Sequence, residues 1–110
     1  MLIDKKSLLE HGEFEKIICA ALNEGGAYIL TGVENSNVVT GHILSQDEKS
    51  KIEETFTNCM SFITPKVQYP EVVLEFVPVF KYPEENQEGH YLIRTKVNPK
   101  HQKRTYFIKN

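Results

Sequence analysis

A pair of adjacent glycines divides the first half of the chain and limits what can lie on either side of it. Before Gly25 and Gly26, apolar residues recur every three or four positions over residues 12–23, which predicts an amphipathic helix. After the pair, the apolar run of residues 27–33 has the composition of a buried strand. Because glycine readily adopts the positive φ that ends a helix, the pair predicts a helix that stops and turns directly into a strand.

A second helix is predicted from its own start and stop signals. Ser45 and Glu48 have the S-x-x-E spacing of a capping box, in which each side chain accepts a hydrogen bond from the backbone of the other residue. Apolar residues at helical spacing then continue to Ile63, and Pro65 ends the pattern. We therefore expect a helix over residues 46–63.

Strand signals occupy the rest of the chain. Polar turn residues follow the first strand, so a hairpin with a return strand at residues 38–40 is expected. Three more strands are predicted, at residues 71–80, 91–97 and 104–108. Since Pro78 cannot donate to a strand ladder, the first of these should have an edge or a bulge near its end. The prediction is an α+β fold, with a small mixed or antiparallel sheet flanked by two helices.

Length and composition suit one compact domain over residues 1–110. With 110 residues, 40% of them hydrophobic and 25% charged, the core is modest and a partner surface could contribute to stability. Neither a run of about 18 apolar residues nor a secretory leader is evident, so we expect a cytoplasmic protein without a membrane partner. Cys19 and Cys59 fall on apolar helix positions, which predicts buried, reduced thiols.

Charge is strongly segregated along the chain. The last 21 residues hold six Lys or Arg and no acid, whereas all 15 Asp and Glu lie earlier. Alternation over residues 91–97 places Arg94 and Lys96 on the face opposite the core residues. One interpretation is a track for a phosphate backbone; the other is an edge strand protected from aggregation by lysines. The candidate RNA-binding residues are Arg94, Lys96, Lys100, Lys103 and Arg104.

Several landmarks together resemble the Schlafen-type AlbA_2 domain family. The helix carries Ala20 and Asn23 just before the two glycines, the next strand closes with Val33-Glu34-Asn35, and Gly41 follows. Further similar elements are Thr64-Pro65, the segment Glu75-Phe76-Val77-Pro78-Val79, and Tyr91-Leu92-Ile93. The resemblance covers about residues 11 to 109, in the same order and with similar spacing.

The resemblance implies a lobe that pairs with another Schlafen-like lobe, in a homo- or hetero-oligomer, to form a cationic trough for structured RNA. In one nematode complex, single-lobe Schlafen-like subunits assemble to cleave precursors of Piwi-interacting RNAs (piRNA). The expected function is therefore a subunit of an RNA-processing endoribonuclease, acting on transfer RNA or small-RNA precursors. Two alternatives remain: a non-catalytic scaffold that pairs with another lobe, and a DNA-binding regulator of the AlbA_2 type.

Catalytic members of the family use three carboxylates with a divalent cation, Mg²⁺ or Mn²⁺, at a site that paired lobes could share. By resemblance, Glu34 occupies the third acidic position, and Glu10 and Glu13 are candidates for the other two. Glu13, however, lies inside the predicted first helix, so these acids could simply favour a helix start, together with Glu15. The Val33-Glu34-Asn35 segment also resembles the non-catalytic half of the family.

The residue types also bear on zinc binding and on base stacking. The two cysteines and four histidines show no paired metal-ligand spacing, so no metal bound by this chain and no structural zinc are predicted. Tyr82 and Tyr106 are candidates for stacking on bases, although aromatic residues near a sheet more commonly belong to the core.

Overall fold

The computed structural model describes residues 1–10, 12–33, 39–81, 85–100 and 104–109. These residues confirm the α+β class. In chain order, the helices and strands are α1 (Lys5–Leu9), α2 (Glu13–Asn23), β1 (Ala27–Thr31), β2 (His42–Ile43), α3 (Gln46–Ser61), β3 (Ile63–Thr64), β4 (Val72–Lys81), β5 (Glu85–Val97) and β6 (Phe107–Ile108).

The main sheet is built around β5, which has neighbours on both sides. It pairs antiparallel with β4 along one edge, and with β1 and then β2 along the other. Its residues Ile93, Thr95 and Val97 are buried in the core, while the intervening Arg94 and Lys96 face away, as the alternation predicted. The register of β4 shifts between Pro78 and Phe80, which confirms the predicted bulge.

The first predicted helix is α2, and the glycine pair ends it as expected. Phe14, Ile18 and Leu22 form its buried face. Beyond the helix, Gly26 adopts a φ of +119° and its N–H donates to the carbonyl oxygen of Ala21 at 2.8 Å. A Cβ at Gly26 would lie only 2.7 Å from the carbonyl oxygen of Val97, so the close approach of α2 to the end of β5 requires glycine.

The second predicted helix is α3, and its capping box is confirmed. The Ser45 hydroxyl accepts a hydrogen bond from the Glu48 N–H at 3.1 Å, and the Glu48 carboxylate accepts one from the Ser45 N–H at 3.3 Å. The helix ends at Ser61 rather than at the predicted Ile63. Ile63 instead belongs to β3, which pairs with β6 in a separate two-stranded sheet and leaves Ile63 fully buried.

A third helix, α1, was not predicted. Asp4 caps it by accepting the Ser7 N–H at 2.8 Å, and Leu8 contributes to the core. Five residues are too few to show helical periodicity in the sequence, which explains the omission. Just before α1, Leu2 forms a parallel bridge with Leu30 of β1, so strand pairing is mixed.

The strand that returns after β1 differs from the prediction. The chain does turn back, because Thr40 and Gly41 both donate their N–H to the Gly32 carbonyl oxygen, at 3.0 and 2.9 Å. Val39 makes only an isolated bridge with Val33, and position 38 lies outside the described residues. The regular strand is β2 at His42–Ile43, and it pairs with β5 instead of β1. The last strand is also shorter than predicted, at Phe107–Ile108.

Both cysteines are buried and free, as predicted. The Cys59 thiol donates a hydrogen bond to Glu15 Oε1 at 3.0 Å. Burial and the contact with Glu15 raise the pKa of Cys59 to about 12, so the thiol stays protonated at neutral pH. None of the helices in the described ranges is long and apolar enough to cross a membrane.

Candidate nucleic-acid interface

The cationic strand lies in the middle of the sheet and not at its edge. Arg94 pairs with Leu30 of β1 on one side and Glu75 of β4 on the other, and Lys96 pairs with Tyr28 and Val73 in the same way. The interpretation of these cations as guards of a free strand edge is therefore wrong, because residues 93–97 have no free edge. Their placement on the outer face of the sheet needs another explanation.

Arg94 is held in place by an acid on the neighbouring strand. Its Nη2 lies 2.9 Å from Glu75 Oε2, and its Nε donates to Glu75 Oε1 at 3.3 Å. Hydrogen bonding by this guanidinium lowers the pKa of Glu75, so the carboxylate stays ionised and offsets the charge of Arg94. Lys96 is exposed and forms no ion pair with another residue in the described part of the chain, so its charge is available to a ligand.

A buried carboxylate organises the loop that follows β5. Glu71, only 3% exposed, accepts hydrogen bonds from the Gln68 N–H at 3.2 Å, the Lys100 N–H at 3.1 Å and the Tyr106 hydroxyl at 3.2 Å. Its own carbonyl oxygen accepts the Asn98 N–H at 2.7 Å. Burial alone would raise the pKa of Glu71, but these donors together hold the pKa below its ordinary value. An ionised Glu71 thus fixes residues 98–100 against the start of β4.

The other end of the same loop is fixed by the asparagine of α2. Asn23 Oδ1 accepts the Tyr106 N–H at 2.7 Å, and Asn23 Nδ2 donates to the Tyr106 carbonyl oxygen at 3.0 Å. The Tyr106 ring is itself buried, with 2% exposure, so it belongs to the core and is excluded as a stacking platform. Glu71 and Asn23 together clamp both ends of the loop between residues 98 and 106.

Three of the predicted RNA-binding residues lie at the end of β5 or in the segment that this clamp fixes. Lys96 is the second-last residue of β5, and Lys100 follows in the clamped loop. Arg104 is exposed and lies near Tyr106. Burial and Glu71 raise the pKa of Tyr106, and Arg104 offsets part of that rise. Lys103 lies outside the described residues, as does the other proposed stacking residue, Tyr82. Lys96 and Lys100 are therefore exposed cations at and just after the end of β5, and Arg104 is exposed two residues before Tyr106.

An exposed aromatic residue that sequence reasoning missed lies beside these cations. Tyr28 of β1 is 52% exposed and directly opposite Lys96 in the strand register. The guanidinium carbon of Arg94 is 6.0 Å from the centroid of the Tyr28 ring. Alternation along β1, with Ile29 and Thr31 in the core, would have placed Tyr28 on the outer face. Its proximity to Lys96 depends on strand pairing that the sequence does not show.

The candidate catalytic acids occupy helix ends. Glu10 is the C-terminal cap residue of α1, and Glu13 is the first residue of α2, with an exposed side chain. Only a backbone contact joins them, from the Glu13 N–H to the Glu10 carbonyl oxygen at 3.3 Å. Glu34 lies outside the described residues, so a catalytic role for the three acids stays a prediction. The described residues contain no group of three or more His, Cys, Asp or Glu placed to hold a metal.

Glu15, by contrast, is fully enclosed. It is 2% exposed and accepts the Gly12 N–H at 3.1 Å in addition to the Cys59 thiol, so it caps α2 from inside the fold. A cavity of about 400 Å³ lies beside Glu15 and Cys59 and is also lined by other residues of α3. The prediction that Glu15 favours the start of the helix is confirmed, and the structure shows how: the Glu15 carboxylate accepts the N–H of the N-cap residue, Gly12.

Comparison with known families agrees with this architecture. The family model for the Schlafen-like domain of nematodes matches residues 4–110, nearly the whole chain. No curated protein matches the chain. The clamped loop and the glycine pair thus lie on a Schlafen-like lobe: the chain belongs to the nematode Schlafen-like domain family.

Proposed function

We propose that this chain is an RNA-binding subunit of an RNA-processing endoribonuclease, and that it works by pairing with another Schlafen-like lobe. The observation that carries the proposal is the set of exposed cations Lys96, Lys100 and Arg104, of which Lys96 lies at the end of β5 and Lys100 has its backbone N–H fixed by the buried Glu71. A phosphate backbone is the ligand that solvated cations on a strand and on the fixed segment after it suit best. Family membership supports the same reading.

Lobe pairing has support from the outer face of the sheet. Leu30, Val73, Val77 and Leu92 are only partly buried, and the strand register places them on the face that carries Arg94 and Lys96. Apolar side chains on a face turned away from the core are available to a partner. This observation also favours the second candidate function, a scaffold that pairs with another lobe and does not bind nucleic acid.

Cleavage would require acids and a divalent cation at a site shared between lobes. The chain's own candidates are Glu10, Glu13 and Glu34, with Mg²⁺ or Mn²⁺ as the metal. A nuclease assay on the complex with a second lobe, comparing wild type with Glu13→Ala and Glu34→Ala, tests this part. Unchanged cutting by both variants would assign catalysis to the partner.

The binding part is tested with matched charge reversals. Lys96→Glu with Lys100→Glu should weaken binding of a hairpin RNA at least about tenfold and lower the dependence of binding on log salt by roughly one to two units. The control reverses Lys16 and Lys51, which are exposed on α2 and α3, and alters net charge equally. Equal losses from both pairs would mean non-specific attraction, and binding only to duplex DNA would favour a DNA-binding regulator.

A further inference from the structure

The outer end of the sheet contains a hollow beside Tyr28. It measures about 390 Å³ and lies between the turn after α2 and the end of β5. Gly25 and Gly26 form one wall with backbone alone, and Lys96 and Asn98 contribute polar groups at the other side. Ligand sites of about 300 Å³ and more accept small planar molecules, so the hollow suits a single ring system.

The hollow combines an aromatic surface with positive charge. Tyr28 is half-exposed on a strand paired along its length, so its ring is presented by a rigid element. Lys96 lies opposite it in the register, and Arg94 lies 6.0 Å from its ring centroid. Glu75 offsets Arg94, which leaves Lys96 as the cation beside the ring without an ion pair among the described residues.

A ligand for this arrangement needs a flat ring and a nearby negative charge. A nucleotide has both, since its base can stack on a tyrosine while its phosphate approaches a lysine. The exposed amide of Asn98 adds a donor and an acceptor at the hollow, the groups that pair with base edges. We infer that the hollow formed by Tyr28, Lys96, Asn98 and the glycine pair binds an unpaired RNA base, stacked on Tyr28.

The inference rests on the proposed function and adds which part of the RNA is recognised. Bases inside a duplex are already stacked on both faces and cannot reach a tyrosine on a sheet, whereas bases in loops and single strands can. The protein should therefore prefer RNA with an unpaired segment. The cations alone would not produce this preference, because a duplex and a hairpin both present phosphates.

The test compares variants of Tyr28 on two RNAs of equal length, a hairpin with an unpaired loop and a blunt duplex. Tyr28→Ala should weaken hairpin binding about tenfold and leave duplex binding and the salt dependence unchanged, while Tyr28→Phe should retain affinity. Phe107→Ala is the matched control, because Phe107 is 59% exposed on β6, in the other sheet. Circular dichroism of each variant checks folding.

A tryptophan at the same position gives a direct readout. The chain has no Trp, so the fluorescence of Tyr28→Trp would report this site alone and should be quenched by a short uridine oligonucleotide. Phe107→Trp should not be quenched. Unchanged hairpin affinity in Tyr28→Ala, with affinity lost in the Lys96 and Lys100 reversal, would overturn the stacking site and leave the proposed function intact. No RNA binding by the wild-type chain would overturn both.

Discussion

Two buried carboxylates stabilise different parts of this lobe in different ways. Glu71 and Glu15 are 3% and 2% exposed, and each accepts a backbone N–H. The N–H that Glu71 accepts from Lys100 lies in the cationic loop after β5, and its other contacts come from Gln68, before β4, and from Tyr106, after the loop. Glu15 instead joins the start of α2 to a protonated thiol on α3. The contrast indicates that one acid shapes a binding surface and the other a helix junction.

The largest effect should come from removing Glu71. Glu71→Ala leaves the Lys100 N–H, the Gln68 N–H and the Tyr106 hydroxyl without their acceptor. We expect the free energy of unfolding to fall by about 3 kcal/mol, because buried donors without partners are costly. RNA binding should fall as well, since the loop carrying Lys100 would no longer be fixed. Urea unfolding and anisotropy titration measure the two effects.

The control for that experiment is Glu75→Ala. Glu75 is a carboxylate too, bonded to Arg94 on the neighbouring strand, but its side chain is 37% exposed. Removing it should change the free energy of unfolding by less than about 1 kcal/mol, as for other solvated ion pairs. If both variants lost the same amount, Glu71 would have no special role in holding the loop.

A smaller loss is expected at Asn23. Asn23→Ala removes both hydrogen bonds to the Tyr106 backbone and should cost about 2 kcal/mol. Asn23→Asp keeps the acceptor for the Tyr106 N–H but loses the donor to its carbonyl oxygen, so its carboxylate would face that oxygen. Restoration of wild-type stability by Asn23→Asp would show that the second bond contributes nothing.

Asn23 and Glu71 show which contacts the sequence does not predict. The capping box at Ser45 and the glycine pair act within a few residues, and both were predicted correctly. Asn23 was recognised only as part of a resemblance, because its partner lies 83 residues away. The predicted strand begins at Glu71, yet Glu71 precedes β4 and its side chain is buried. The pairing of β1 with β5 brings Tyr28 to Lys96, and no pattern of neighbouring residues in the sequence predicts that two strands so far apart will pair.

Lowering the pH should destabilise the wild-type protein more than it destabilises the Glu71→Gln variant, whose side chain at position 71 cannot be protonated. The folded pKa of Glu71 lies below its ordinary value of 4.5, so its stabilising effect is present above about that pH and is lost as pH falls through the folded pKa. The difference in unfolding free energy between wild type and Glu71→Gln should therefore shrink as the pH falls below 4.5. A constant difference across that range would mean that Glu71 is not ionised in the fold.

On the Glu15 side of the comparison, the contact to test is the hydrogen bond from the Cys59 thiol. Cys59→Ser keeps a hydroxyl donor for Glu15 and should cost about 1 kcal/mol, while Cys59→Val removes the donor and should cost about 2 kcal/mol. Cys19→Val is the control, because the hydrogen bond that the Cys19 sulfur accepts, at 3.9 Å, comes from the neutral amide of Asn23. Equal stability of the Ser and Val variants at position 59 would contradict this expectation. The thiol would then act only as an apolar group that fills space beside the cavity. The contact of Glu15 with the Gly12 backbone would then stabilise α2 without the hydrogen bond from α3.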